Sequence, residues 1–181
     1  MSSIEAHTCS LVPHSSAPAS GVRAVGARVV RAPHGMLTLT YSVEGDVSRM
    51  RVPPPRPVRR ADGLWRHTCL EAFVAPDSGP AYLELNFSPS GEWASYAFSA
   101  YRRDMAVAED IETPAIAVTQ GEDGLTVEAS VCITCLRGAT AVRLALAAIV
   151  EGSSGSLSYW ALEHPPGEPD FHHPRGFALK I

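Results

Sequence analysis

"AYLELNFSPSGEWASYAF", residues 81–98, is the stretch on which the fold turns. Two runs of alternating apolar and polar residues flank Ser-Pro-Ser-Gly, which has the composition of a hairpin turn. Side chains alternate across a strand, so parity sorts them into faces. In the first run Ala81, Leu83, Leu85 and Phe87 form one face, and Tyr82, Glu84 and Asn86 form the other. A loop of two or four residues pairs Phe87 with Glu92 and Asn86 with Trp93. That register gathers Leu83, Leu85, Ala94, Tyr96 and Phe98 into a core and leaves Tyr82, Glu84, Asn86, Trp93 and Ser95 on an open surface. A three-residue loop flips the pairing and sends Trp93 into the core instead. The first register is the expectation carried forward.

The same sorting works outward from the hairpin. In "GLWRHTCLEAFVAP", 63–76, Cys69, Glu71 and Phe73 share a face while Leu70, Ala72 and Val74 supply the core side. In 142–150, Val142, Leu144, Leu146, Ala148 and Val150 point inward. Arg143, Ala145 and Ala147 opposite them are mostly small, which leaves room above them. Trp160 shares parity with Ser156 and Ser158. Further period-two segments fall near 22–31, 36–43, 115–120, 124–134 and 156–162, with a last piece near 176–181. Glycine-containing turns punctuate them. The proline-rich stretch 51–63 cannot be a central strand, because proline donates no ladder hydrogen bond. Residues 101–112 read as a short helix at most. Many short strands and little helix give an all-β class, an antiparallel β-sandwich. Residues 1–20, rich in Ser, Ala and Pro, read as a loose tail ahead of a single domain, 21–181.

At 181 residues the chain is long enough to bury a core without staples. A formal charge of −4 argues against nucleic acid as a partner. There is no GxGxxG, no GxxxxGK[ST], and Lys180 is the single lysine, so nucleotide hydrolysis has no support. The longest wholly apolar run, 144–150, is far short of the ~20 residues a membrane helix needs. The N-terminus lacks a signal-peptide pattern, and the expected compartment is the cytoplasm, where Cys9, Cys69, Cys132 and Cys135 stay thiols. Cys132-Ile-Thr-Cys135 ends a strand-like run, whereas a redox CxxC sits at a helix N-terminus. Residues 49–66 hold six arginines against the single acid Asp62. This is either a solvated loop pairing with acids elsewhere or a surface for a protein partner.

Flat aromatics beside amides and carboxylates suit a sugar: ring C–H faces stack on indole, and hydroxyls take hydrogen bonds from Asn, Glu and Arg. The candidate ligand-binding residues are Trp65, His67, Glu71, Glu84, Asn86, Trp93, Arg143 and Trp160. The competing reading has Trp93 and Trp160 capping the core edge and the polar groups facing solvent. Glu71 and Glu84 are also a carboxylate pair such as glycoside hydrolysis requires, although strand interiors are unusual places for catalysis.

"LWRHTCLEAFVAP" followed by "AYLELNFSPSGEWASYAFSAYR", and the ending "GSLSYWALEHPPGEPDFHHPRGFAL", resemble DOMON-like domains of a bacterial stand-alone subgroup related to family 9 carbohydrate-binding modules. The resemblance covers about residues 35–181. It implies a β-sandwich of jelly-roll type with a ligand pocket on or at the edge of one sheet. Related families bind sugars between tryptophans, or hold haem between a methionine and a histidine or lysine. Trp65 is similar to the tryptophan ahead of the family's acidic strand, and Glu71 to that strand's glutamate. His67-Thr68-Cys69 departs from the pattern, since many relatives carry acidic residues there. The expectation is thus a non-catalytic module for a carbohydrate or sugar-like small molecule, with no cofactor required. The alternative is haem or a metal ion held by the tail histidines, with His164, Asp170, His172 and His173 as candidate ligands and Met105, Met36 or Met50 as a conceivable haem partner.

Overall fold

The computed structural model describes residues 6–16 and 21–181. Its strands are β1 (Ala6–Pro13), β2 (Val22–Ala32), β3 (Met36–Gly45), β4 (Arg59–Arg60), β5 (Cys69–Pro76), β6 (Tyr82–Phe87), β7 (Glu92–Phe98), β8 (Ala106–Val107), β9 (Ala115–Gln120), β10 (Gly124–Cys132), β11 (Val142–Glu151), β12 (Leu157–Ala161) and β13 (Leu179–Lys180). Strands make up 53% of the described residues and no helix among them reaches seven residues, so the protein is an all-β sandwich. Among the described residues no helix is long and apolar enough to cross a membrane.

The strand order is β4-β7-β6-β5-β11-β12-β1-β2-β3-β10-β9, one sheet curled into two layers. β1 makes the corner. Its Val12 and Pro13 pair with β12, while Ala6 to Leu11 pair with β2. Neighbours are antiparallel except β4, which runs parallel to β7 at the edge. Part of the stretch read as a loose tail is therefore a strand. Leu11 is its one buried apolar side chain, so pairing on both sides, rather than an amphipathic pattern, holds it in place. Residues 1–5 and 17–20 of that stretch lie outside the described residues.

The layers close over one apolar interior. From the first layer come Leu70, Ala72, Val74, Leu85, Phe87, Leu144, Leu146 and Ala148; from the second come Val29, Leu37, Leu39, Tyr41, Val127 and Val131. Each such Leu, Val or Phe contributes about 1.5–3 kcal/mol when fully buried. Tyr41 carries a polar tie through this interior: its hydroxyl donates to the Glu71 carbonyl at 2.6 Å. That bond pins the middle of β5 from the opposite layer.

The 81–98 hairpin takes the three-residue loop, which corrects the expected register. Phe87 pairs with Trp93, Asn86 with Ala94 and Glu84 with Tyr96. Ser88 N–H donates to the Glu92 carbonyl at 2.9 Å, and Gly91 N–H to the Ser88 carbonyl at 3.0 Å. Gly91 sits at φ 91°, the left-handed position that closes such a loop after a type I turn. Trp93 accordingly faces the interior, and Ala94, Tyr96 and Phe98 move to the other face.

Residues 101–112, read as a short helix at most, form none. Arg102 (φ 53°) and Asp104 (φ 54°) take left-handed backbone, which no α-helix accommodates. Arg103 N–H closes a tight turn onto the Ala100 carbonyl at 2.9 Å, and Ala106–Val107 then pairs with β7.

Candidate functional site

The outer face of β5, β6, β7, β11 and β12 is not open to water. The C-terminal segment 162–177 crosses it, and Phe171 and Phe177 pack on its apolar cluster. Between sheet and segment lies a cavity of about 420 Å³. Glu71 and Glu84 form its floor. Trp65, Phe98, Tyr159 and Phe171 supply aromatic walls, while Arg102, Met105 and His172 also line it.

Local sequence explains this shape. Glu71 lies on β5 between Asn86 on β6 and Ala147 on β11, and Ala147 in turn neighbours Ala161 on β12. The alanine floor leaves the space that larger residues would fill. Trp65 stands on a 3-10 turn, Leu64–Arg66, entered through Gly63 at φ 76°. Its indole packs edge-on against Tyr96 at 5.8 Å and remains half-buried. On the other side, Arg102 is held by Asp170, with Nη2 donating to Oδ1 at 2.7 Å. Tyr101 donates to the second oxygen of the same carboxylate at 2.5 Å.

His172 wedges between the segment and the sheet. Its ring lies 5.0 Å from both Phe73 and Phe98, and Nδ1 is 2.8 Å from the Tyr82 hydroxyl. Burial, aided by the nearby Arg102 charge, pushes its pKa down to about 4. The imidazole is therefore neutral at neutral pH, and its 3.6 Å approach to Glu84 is not an ion pair there.

The two glutamates are in an unusual state. Glu71 is only 3% exposed, and its Oε1 has no hydrogen-bond partner. Burial first, and the Glu84 charge second, raise its pKa well above the usual carboxylate range; the Cys69 thiol beside it acts weakly the other way. Glu84 accepts from Asn86 Nδ2 at 2.8 Å. Burial raises its pKa too, opposed by that hydrogen bond and by Arg102. An unpaired buried polar atom costs about 1–3 kcal/mol, and a charge costs more, so such groups hold their proton instead.

Of the sequence candidates, Trp65, Glu71 and Glu84 come together in this cavity. Asn86 lies beneath it, orienting Glu84. Trp93 and Trp160 are corrections: both are buried in the interior between the layers. Trp160 Nε1 donates to Ser158 Oγ at 3.1 Å, whereas Trp93 Nε1 has no partner. Trp93 is there because of the loop length. For Trp160, strand parity with Ser158 selects the inner face. His67 points away to Glu151, with Nδ1 2.8 Å from Oε2. Arg143 lines a separate cavity of about 200 Å³ with Phe177, beyond the Tyr82–His172 pair.

The tail histidines disperse. His164 Nε2 lies 2.8 Å from the Val12 carbonyl, and His173 accepts from Arg175 N–H at 3.2 Å. Asp170 belongs to Arg102. Among the described residues no three His, Cys, Asp or Glu side chains are grouped to hold a metal ion. Met105 does line the same cavity as His172, whose Nδ1 is already committed to Tyr82. In the arginine-rich stretch, Arg51 pairs with Glu151 at 2.6 Å, Arg59 with Glu92 at 2.7 Å and Arg60 with Asp62 at 2.8 Å.

Sequence reasoning missed Tyr159, Phe171, Arg102 and Ile149. Tyr159 was recoverable, since it must face opposite to its neighbour Trp160. Ile149 was recoverable in the same way, between the inward Ala148 and Val150 on β11, whereas Arg102 comes from a turn and Phe171 depends on where the tail crosses the sheet.

No protein-family model matches the chain, and no curated protein does either. Among solved structures, it is similar to a candidate carbohydrate-binding protein from Bacteroides uniformis, with 14% identity over 95% of this chain and 83% of that one, at a TM-score of 0.67. It is also similar to a family 9 carbohydrate-binding module from Caldicellulosiruptor kristjanssonii in complex with cellotriose, with 10% identity over 84% of this chain and 75% of that one, at a TM-score of 0.50. What is shared is the fold. At such identities the likeness extends no further.

Proposed function

We propose that this protein is a non-catalytic binding module of DOMON-like type that holds a carbohydrate or sugar-like small molecule in the cavity between its outer sheet face and its C-terminal segment. One observation carries the reading: a half-buried indole, Trp65, stands beside two buried carboxyl groups in a cavity of about 420 Å³, within the size range of small-molecule sites. The indole and Tyr159 offer flat apolar surface to ring C–H groups. Glu71 and Glu84 offer fixed hydrogen-bonding groups to the ring's polar edge. Two likenesses support it: a candidate carbohydrate-binding protein and a family 9 module seen with cellotriose share this fold. Asn86, Tyr41 and the Arg102–Asp170 pair act as supports that fix the floor and one wall.

The test is calorimetry and thermal melting against a panel of monosaccharides and short glycans. At least one should bind and raise the melting temperature, and Trp65→Ala should weaken that binding by about tenfold, the scale of one lost aromatic contact. A panel with no response would end the reading. So would turnover of an aryl glycoside, or a haemin complex with a Soret band lost in His172→Ala.

A further inference from the structure

Hydrogen-bond accounting at the floor of the cavity narrows the ligand further. Glu71 Oε1 on the floor and Asn86 Oδ1 beneath it are both buried without partners, and the two residues stand opposite each other on paired strands. Once Glu71 is ionised, both atoms are acceptors, so the floor lacks donors. A hydroxyl supplies one donor and brings lone pairs of its own, whereas an ammonium group supplies three donors and no acceptor. The charged groups point the same way. Asp170 already binds the guanidinium of Arg102 at 2.7 Å, so ionising the floor carboxyls calls for a cation from outside. The imidazole of His172 adds no positive charge at neutral pH. The aromatic walls suit a cation as well as a sugar ring.

We infer that the cavity selects an amino sugar over its neutral counterpart, with the ligand's ammonium group seated on Glu71. This rests on the sugar-binding reading above and names its ligand class. The proton balance follows from the state of the floor. In the free protein burial favours the protonated form of Glu71, with Glu84 adding to it. When R–NH3⁺ enters, the carboxyl releases its proton to solvent and becomes the counterion, so the site gains one positive and one negative charge together. The other titratable groups facing the site are Cys69, Tyr82, Tyr96 and Tyr159 from the strands, Arg102 from the turn, and Asp170 and His172 from the segment. Amine affinity should rise with pH while the floor carboxyls ionise, then fall as the ligand amine loses its own proton.

The experiment is titration calorimetry of the full chain at neutral pH. Its ligands are glucose, galactose and mannose, each beside its 2-amino counterpart, with N-acetylglucosamine and ethanolamine added. At least one amino sugar should bind about tenfold or more tighter than its neutral partner and than the N-acetyl form, the scale of a charge-assisted hydrogen bond. Repeating that titration in buffers of different ionisation enthalpy should reveal proton release. In Glu71→Gln the preference should shrink to about twofold; Glu84→Gln, tested beside it, should lessen it as well. Equal affinities within every pair overturn the inference and leave the sugar reading standing. Silence from every ligand overturns both. Ethanolamine binding as tightly as the amino sugars overturns the sugar part of the inference.

Discussion

On β5, Leu70, Ala72 and Val74 face the second layer, while Cys69, Glu71 and Phe73, the residues between them, face the C-terminal segment. Both sets are buried, so depth alone does not separate core from site. What separates them is what lies beside their unmet polar atoms. On the inner face the Ser158 hydroxyl donates to the Val150 carbonyl and accepts from Trp160, and Tyr41 finds the Glu71 carbonyl. On the outer face Glu71 Oε1 and Asn86 Oδ1 have nothing, beside a cavity large enough for a guest. The inner face leaves the Trp93 indole N–H unmet as well, but the unmet atoms of the outer face are the ones beside the cavity, where a ligand can complete them.

The largest expected effect tests the inner half of that contrast. Leu144→Ala should lower the unfolding free energy by about 2–5 kcal/mol, measured by chemical denaturation, because a tightly packed interior cannot collapse around the void. A loss well under 1 kcal/mol would mean the layers are loosely packed.

Glu71→Gln tests the outer half, and its sign is opposite. A carboxyl whose pKa is raised on folding binds more protons folded than unfolded, so stability drains away as pH rises above the ordinary range near 4.5. The glutamine variant escapes this loss. Its melting temperature should match the wild type in acid and exceed it increasingly towards neutral pH, by about 2–4 °C for each kcal/mol relieved. A variant that melts lower at every pH would contradict the account of an unmet carboxyl.

His172 gives a smaller effect of the other sign. Its pKa is depressed, so its contribution is complete above about 6.5 and is lost as pH falls towards about 4. His172→Gln should flatten that acid limb by about 1 kcal/mol, given the partial exposure of the ring, read from melting curves across the window.

The fold was legible where alternation was strong. β2, β3, β5, β9, β10 and β11 follow period-two patterns and lie within a residue or two of the expected spans. β4 and β8, at two residues each, are too short to carry such a pattern, and β1 is held by pairing with β2 on one side and the distant β12 on the other. For the site, Glu71 and Glu84 could be read as sharing a face whatever the register, since each lies on a strand whose parity is self-evident. The tryptophans could not. Trp93 changes face with one residue of loop length, and only Gly91's left-handed turn fixes that length. The cavity's roof depends on how 162–177 crosses the sheet, a proline-rich path with no periodicity to read.

Tryptophan emission offers the most direct test, because the three indoles divide between the two faces. Trp93 and Trp160 are sealed in the interior, and Trp65 alone borders the cavity. Adding the sugar identified by calorimetry should shift the emission of the wild-type protein and leave that of Trp65→Phe unchanged. A shift that survives in Trp65→Phe would place the ligand elsewhere and contradict the account.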